Sequence, residues 1–245
     1  MALLEVRGLV KSYGRRRVVD GVSFDVDAAE IVGLLGANGA GKTTSFRATI
    51  GMITPDEGEV WFDGADITRM PMYRRARLGM GYLSQEPSIF RQMTVEQNVL
   101  AVLEMRGFAR AERLRRCRLL LDELGLLPRA RQGADTLSGG ERRRLEICRT
   151  LAIEPLLILL DEPFAGIDPK VVSELQRLLD RLREKGIGIL ITDHNYRETL
   201  ESADRAYVLD EGRVLAEGSP ERLLADPEVR RRYLGERGRP HDAVR

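Results

Sequence analysis

The chain has 245 residues, with 39 Lys or Arg against 38 Asp or Glu, a net charge of +1 at pH 7. That balance argues against a globally basic nucleic-acid binder, because neutralising phosphates takes surplus cations. The 43% of hydrophobic residues supports a sizeable core. The longest clean apolar run, Leu156 to Leu160, is far short of the roughly 20 residues that cross a bilayer. The two cysteines, Cys117 and Cys148, make neither a disulfide framework nor a Cys-rich metal site. The opening MALLEVRGLVKSYG mixes charges and glycine early, unlike a secretory signal. The expectation is a cytoplasmic α/β protein that does not enter the bilayer itself.

In chain order, Leu4–Val6, Val18–Val19, the alternating Val22-Phe24-Val26 and the apolar run 31–35 predict strands. Lys42 to Ile50 has no breaker before Gly51 and predicts a helix. Glu59–Phe62 and Met80–Leu83 predict two more strands, the first followed by an Asp63-Gly64 turn. From Val95 to Leu127 the pattern is helical, with leucines at 100, 103, 114, 119, 120, 121 and 124 and a break at Gly107. A helix opening at Ser138 as N-cap ends before Pro155.

Strand and helix then alternate. Residues 156–160 predict a strand, 169–185 a helix closed by Gly186, 188–192 a strand and 196–202 a helix. Residues 206–209 and 214–216 predict the last strands. Such alternation implies a mostly parallel sheet. The helical stretch, about 88–152, reads as a subdomain inserted in a single domain of residues 1–237. The polar tail, 238–245, carries His241 and reads as unstructured. Clusters Arg15–Arg17, Arg74–Arg77, Arg142–Arg144 and Arg230–Arg232 read as solvated or interface surfaces.

Gly36-Ala37-Asn38-Gly39-Ala40-Gly41-Lys42-Thr43 fits G-x-x-x-x-G-K-[ST] between an apolar strand and a helix. Glycines let backbone N–H groups close around phosphate oxygens. The helix N-terminus adds partial positive charge there. Lys42 supplies a compact mobile charge for the β- and γ-phosphates, and Thr43, followed by Thr44, a hydroxyl for Mg2+. Lysine is scarce in this chain, with Lys11, Lys170 and Lys185 the only others, so Lys42 at this place is not background. The pattern predicts nucleoside triphosphate binding.

The run 156–160 ends in Asp161-Glu162. Alternation along a strand gives the two carboxylates opposite directions and different tasks. Asp161 suits holding Mg2+ at one remove, and Glu162 suits orienting and deprotonating an attacking water. His194 follows another strand end, where parallel sheets carry their ligand groups. A lone histidine is more often structural, but this position favours a γ-phosphate contact.

Leu137-Ser138-Gly139-Gly140-Glu141 opens a helix and makes a second anion site. One γ-phosphate does not need two such sites in one chain. A head-to-tail homodimer with two composite ATP sites, each Ser-Gly-Gly closing over the other copy's nucleotide, answers this.

These motifs, in this order, resemble the ATP-binding subunits of ABC transporters over residues 3–235. The resemblance implies a P-loop ATPase of the α/β class with a mixed sheet core, an N-terminal antiparallel β part and the inserted helical subdomain. It makes Tyr13 the aromatic that stacks on adenine, although on residues alone Tyr13 is equally a turn-packing aromatic. Residues 36–43 become the Walker A loop, 158–162 Walker B and 137–141 the signature, so Ser138, Gly139, Gly140 and Glu141 meet nucleotide. Gln85, otherwise a solvated loop residue, becomes the glutamine that reaches Mg2+ and senses the membrane subunit. Ala165-Gly166-Ile167-Asp168 becomes the D-loop and His194 the switch histidine.

Within the family, the stretches 85–91, 137–144, 161–169 and 191–200 are most similar to the lipopolysaccharide-export ATPases. The nearest rival branch serves branched-chain amino-acid import and shares the Ala-Gly D-loop and the Tyr233-Leu234-Gly235 ending. The export resemblance implies integral membrane partners of the LptF and LptG kind on the cytoplasmic face of the inner membrane. Glu86, Phe90 and Arg91 would line the groove that receives them. Phe90 in the helical subdomain's core is the other reading of that residue. No nucleic-acid partner is implied.

Overall fold

The computed structural model describes residues 2–234. The readings made on the tail 238–245 and on His241 therefore fall outside the described residues. Strands β1 (Leu4–Tyr13) and β2 (Arg16–Val26) form an antiparallel hairpin, followed by β3 (Ile31–Gly36) and helix α1 (Lys42–Ile50). Next come β4 (Glu57–Phe62), β5 (Ala65–Asp66), α2 (Met72–Arg77) and β6 (Met80–Leu83). The helical stretch holds α3 (Val95–Met105), α4 (Arg110–Glu123) and α5 (Gly139–Leu151). After it come β7 (Leu157–Asp161), α6 (Pro169–Glu184), β8 (Gly188–Thr192) and α7 (Tyr196–Ser202). The chain continues through β9 (Arg205–Asp210), β10 (Arg213–Gly218) and α8 (Pro220–Ala225).

Two sheets result. One is antiparallel with order β2-β1-β4-β5, and its period-2 pattern buries Leu4, Val6, Val22, Phe24, Val26, Val60 and Phe62. The other runs β10-β9-β3-β8-β7-β6, parallel except for the β9–β10 hairpin. All positions of β3, β7 and β8 are buried, as continuous apolar runs covered on both faces require. Strands β6 and β7 are neighbours, Met80 opposite Leu157 and Leu83 opposite Leu160, so the helical stretch emerges between two adjacent strands. Its core (Val95, Val99, Leu121, Leu145, Cys148) is continuous with Ile158 and Ile189 of the sheet. Of the patterned leucines, Leu114 and Leu119 are exposed instead.

Three local readings need correction. Strand β7 begins one residue later than predicted, because Leu156 is exposed and turns to pair with Gly79. The short helices α2 and α8 were not anticipated, although Ser219-Pro220-Glu221 is an N-cap followed by proline at the first helical position. The third concerns the arginines at 74–77. Arg75 is only 1% exposed.

Helix α1 ends at Gly51 against protein rather than water, leaving its last carbonyls in need of donors. Arg75 Nη1 donates to Ala48 O (3.0 Å) and Thr49 O (2.6 Å), Nε to Met70 O (2.8 Å) and Nη2 to Thr68 O (3.0 Å). Burial lowers this guanidinium to a pKa of about 10. Arg142–Arg144 are half-buried rather than fully buried: Arg143 donates to Ser84 O and Arg144 pairs with Glu174. Arg75→Ala takes a donor from four carbonyls, of which Ala48 O keeps the Gly51 N–H at 3.2 Å, and is expected to cost roughly 3 kcal/mol in urea unfolding. A loss below about 0.5 kcal/mol, the range of neutral surface changes, would show that the fold does not depend on these bonds.

Candidate functional site

The loop Gly36–Gly41 joins the end of central β3 to the start of α1. Two of its glycines are obligatory. A Cβ on Gly36 (φ 148°) would lie 2.3 Å from Leu209 O, and one on Gly41 (φ 100°) 2.8 Å from Val18 O. Gly41 caps α1 without a side chain, so no side-chain oxygen takes the first-turn N–H groups of Lys42, Thr43 and Thr44. Those groups fit an incoming phosphate. Ala37, Asn38 and Gly39 are exposed, Ala40 is buried, Thr43 is exposed and Thr44 half-buried.

Lys42 is 8% exposed, and its Nζ donates to Gly36 O (2.6 Å) and Ala37 O (3.0 Å). Burial lowers its pKa below the ordinary lysine value, while Glu162 and Asp193 pull it back up. Beside the loop is a hollow of about 350 Å³ whose lining includes Arg16, Asn38, Gly39 and Asp210. Arg16 belongs to the arginine cluster 15–17, whereas Asp210 carries no sequence motif that would have singled it out. Tyr13, at the end of β1, is 53% exposed and its ring lies 6.0 Å from Lys11 Nζ.

Strand β7 delivers Asp161 buried, its Oδ2 accepting from Tyr82 Oη at 3.3 Å. Desolvation raises this carboxyl's pKa, only partly offset by the Tyr82 bond. The alternation argument stops here. Strand β7 ends at Asp161, and Glu162 takes φ 46°, with its N–H donating to Thr192 O (2.7 Å). It is this left-handed turn, not strand pleating, that separates the two carboxylates.

Glu162 Oε2 accepts from Gln85 Nε2 at 2.7 Å and lies 3.4 Å from His194 Nδ1. Three predicted residues from three separate strand ends thus meet at one carboxylate. His194 Nδ1 is also 3.5 Å from Asp193 Oδ1. Asp193, which sequence reading passed over, is wholly buried. Its Oδ2 accepts from Phe164 N (3.0 Å) and Oδ1 from Asn195 N (2.8 Å), so it ties the segment after Walker B to the segment carrying His194. Its only signal was a carboxylate just after an apolar strand, which is also the mark of an ordinary solvated turn. Desolvation raises its pKa.

The second glycine turn lies apart. Ser138 caps α5 in a capping box with Glu141: Glu141 Oε2 accepts from Ser138 N and Oγ, both at 2.9 Å, and Ser138 Oγ accepts from Glu141 N at 3.3 Å. The Ser138 amide holds the Glu141 carboxyl below its usual range. Ser138 and Gly139 are exposed and Gly140 half-buried. Among the described residues no hydrogen bond or ion pair joins 138–141 to 36–44. Asp168, exposed, caps α6 through Lys170 N (2.8 Å).

Glu86 and Arg91 are exposed, and Phe90 is 45% exposed. Asn98 clamps the Phe90 backbone through Phe90 N (2.8 Å) and Phe90 O (3.0 Å), and the Arg149 guanidinium sits 4.4 Å from the ring centroid. Phe90 is a surface residue, while its neighbour Ile89 enters the core.

The oxygen- and amide-bearing set Thr43, Gln85 and Asp161 suits Mg2+, which binds few protein groups and takes further oxygens from phosphate. Among the described residues no three His, Cys, Asp or Glu side chains group as a self-sufficient metal cage. No helix there is long and apolar enough to cross a membrane.

Residues 19–165 match the family model described as ABC transporter. A protein of Acidithiobacillus ferridurans named lipopolysaccharide export system ATP-binding protein LptB is 55% identical over 234 residues, 96% of this chain and 97% of that protein. The Escherichia coli K12 protein of the same name is 49% identical over 237 residues, 96% of this chain and 98% of its own. The solved ADP conformation of MJ1267, an ATP-binding cassette of an ABC transporter, superposes with a TM-score of 0.86 at 30% identity, covering 96% of this chain and all of that one. The nucleotide loop, the carboxylate at the adjoining strand end and these likenesses converge: the chain belongs to the ABC transporter family, as one of its ATP-binding, ATP-hydrolysing subunits.

Proposed function

We propose that this subunit powers the extraction of lipopolysaccharide from the inner membrane for export. In this reading it works as a head-to-tail homodimer seated on integral membrane subunits of the LptF and LptG kind. The names of relatives about half identical over nearly the whole chain support the cargo. The single observation that carries the hydrolytic part is the meeting of Gln85, Glu162 and His194 beside the Lys42 loop.

Lys42 and the first-turn amides bind and orient the phosphates, and Tyr13 stacks on adenine. Glu162 takes the proton of the attacking water, held in place by Gln85, while His194 positions that water at the γ-phosphate. Bound through Thr43, Gln85 and Asp161, Mg2+ would offset charge on the β- and γ-phosphates. Ser138–Glu141 of the second copy would complete each site, with Asp168 at the seam. Glu86, Phe90 and Arg91 would receive the membrane subunits, since an exposed aromatic flanked by charges makes an anchoring surface.

Purification of the tagged chain from detergent-solubilised membranes tests the cargo. Co-purifying LptF- and LptG-like proteins are the expected result. Permeases accompanied by a periplasmic binding protein would instead assign the chain to amino-acid import.

A further inference from the structure

The β1–β2 hairpin turns at Gly14 and Arg15 and pairs Tyr13 with Arg16. Residues directly opposed in an antiparallel pair carry their side chains on one face. Arg16 therefore leaves the hairpin on the same side as the aromatic assigned to adenine. Its far end reaches the phosphate loop, with Nη2 3.9 Å from the point that a Cβ on Gly39 would occupy. Arg16 also lines the loop-side hollow together with Asn38 and Gly39.

The neighbouring charges are already matched, and Arg16 is not. Arg17 Nη1 lies 2.7 Å from Asp20 Oδ1, and Lys11 Nζ 2.7 Å from Asp56 Oδ1. The two carboxylates of the hollow share another cation: Arg232 Nε is 2.8 Å from Asp210 Oδ2, and its Nη2 3.8 Å from Glu211 Oε2. Arg15 is exposed but does not line the hollow. Arg16 is exposed and makes no hydrogen bond or ion pair among the described residues.

A triphosphate whose base rests on Tyr13 and whose outer phosphates meet Lys42 and the first-turn amides has its α-phosphate in between. The uncommitted cation of the hollow stands in that interval. We propose that Arg16 is a further nucleotide-binding residue, its guanidinium holding the α-phosphate. A planar fork of N–H donors suits phosphate oxygens better than a point charge does. Such a contact is indifferent to the γ-phosphate, so it grips ADP as firmly as ATP. The inference rests on reading Gly36–Thr43 as the triphosphate-binding loop and Tyr13 as the aromatic under the base.

Arg16→Gln in the full chain tests this by isothermal titration. Affinity for ATP and for ADP should fall by the same factor, about 3- to 10-fold, the reach of one charge-assisted contact partly screened by water. KM for ATP should rise similarly, with kcat changed less than twofold. The melting temperature without nucleotide should stay within about 2 °C of wild type, since no internal bond is removed. Arg16→Lys should restore part of the affinity, and Arg17→Gln should leave both nucleotides within about twofold of wild type. ATP carrying sulfur at the α-phosphorus should bind the wild type more weakly than ATP in one diastereomer, and that difference should vanish in Arg16→Gln.

Unchanged affinities in Arg16→Gln overturn the proposal. A fall for ATP alone also overturns it, by placing the guanidinium at the γ-phosphate, as does a sulfur effect that persists in the variant. An equal loss in Arg17→Gln, or a loss that tracks the melting temperature, reduces Arg16 to general charge or to a structural part. Lys42→Met separates the two levels: unimpaired ATP binding there would defeat the reading of the loop itself.

Discussion

Glu162→Gln is expected to lower ATP turnover by about two to four orders of magnitude, the contribution of a positioned general base. Nucleotide affinity should change little, because the substitution keeps shape and hydrogen-bonding capacity. The amide oxygen of the new residue can still accept from Gln85 Nε2, which now sits 2.7 Å from Glu162 Oε2. What is lost is the ability to take a proton. If ATP closes the proposed dimer and hydrolysis reopens it, the variant should run as a dimer in ATP on size-exclusion chromatography. Phosphate release at the wild-type rate would remove Glu162 from the role of base and shift attention to His194, whose Nδ1 lies 3.4 Å away.

Lys42→Met is expected to weaken ATP binding about 10- to 100-fold, the loss of one charged hydrogen-bonding contact to phosphate. Stability should move the other way. Burial already depresses the Lys42 ammonium against the pull of Glu162 and Asp193, so the charge is held there at a desolvation cost that a thioether of similar length avoids. The carbonyls of Gly36 and Ala37 lose their donor, which limits the gain. Isothermal titration with ATP and urea unfolding without it should therefore diverge, with affinity lower and stability equal or higher. Parallel loss of both would mean that Lys42 serves the loop's own architecture before it serves phosphate.

Elements whose signal is local were readable from the residues. Helix α1 begins and ends where Gly41, Lys42 and Gly51 indicate, and α5 opens on Ser138 with its capping box. Strands β6 and β8 match their apolar runs. Alternation failed at Glu162, because pleating governs direction only while the backbone stays extended and the chain turns left-handed there. The Arg74–Arg77 cluster looked like solvated surface. Whether Arg75 points to water or to the end of α1 depends on which helix end packs nearby, and no short window contains that information.

The sequence by itself determined the phosphate loop, the acidic strand end and the capped second glycine turn, since each depends on a few neighbouring residues with definite backbone preferences. Only the tertiary structure decided that Gln85, Glu162 and His194 share one point, and that Asp193 is buried as the tie between the segment after Glu162 and the segment carrying His194. The physical reason is strand order. The arrangement β3-β8-β7-β6 brings together ends far apart in the chain. That order arises from burying both faces of one sheet, not from any local propensity.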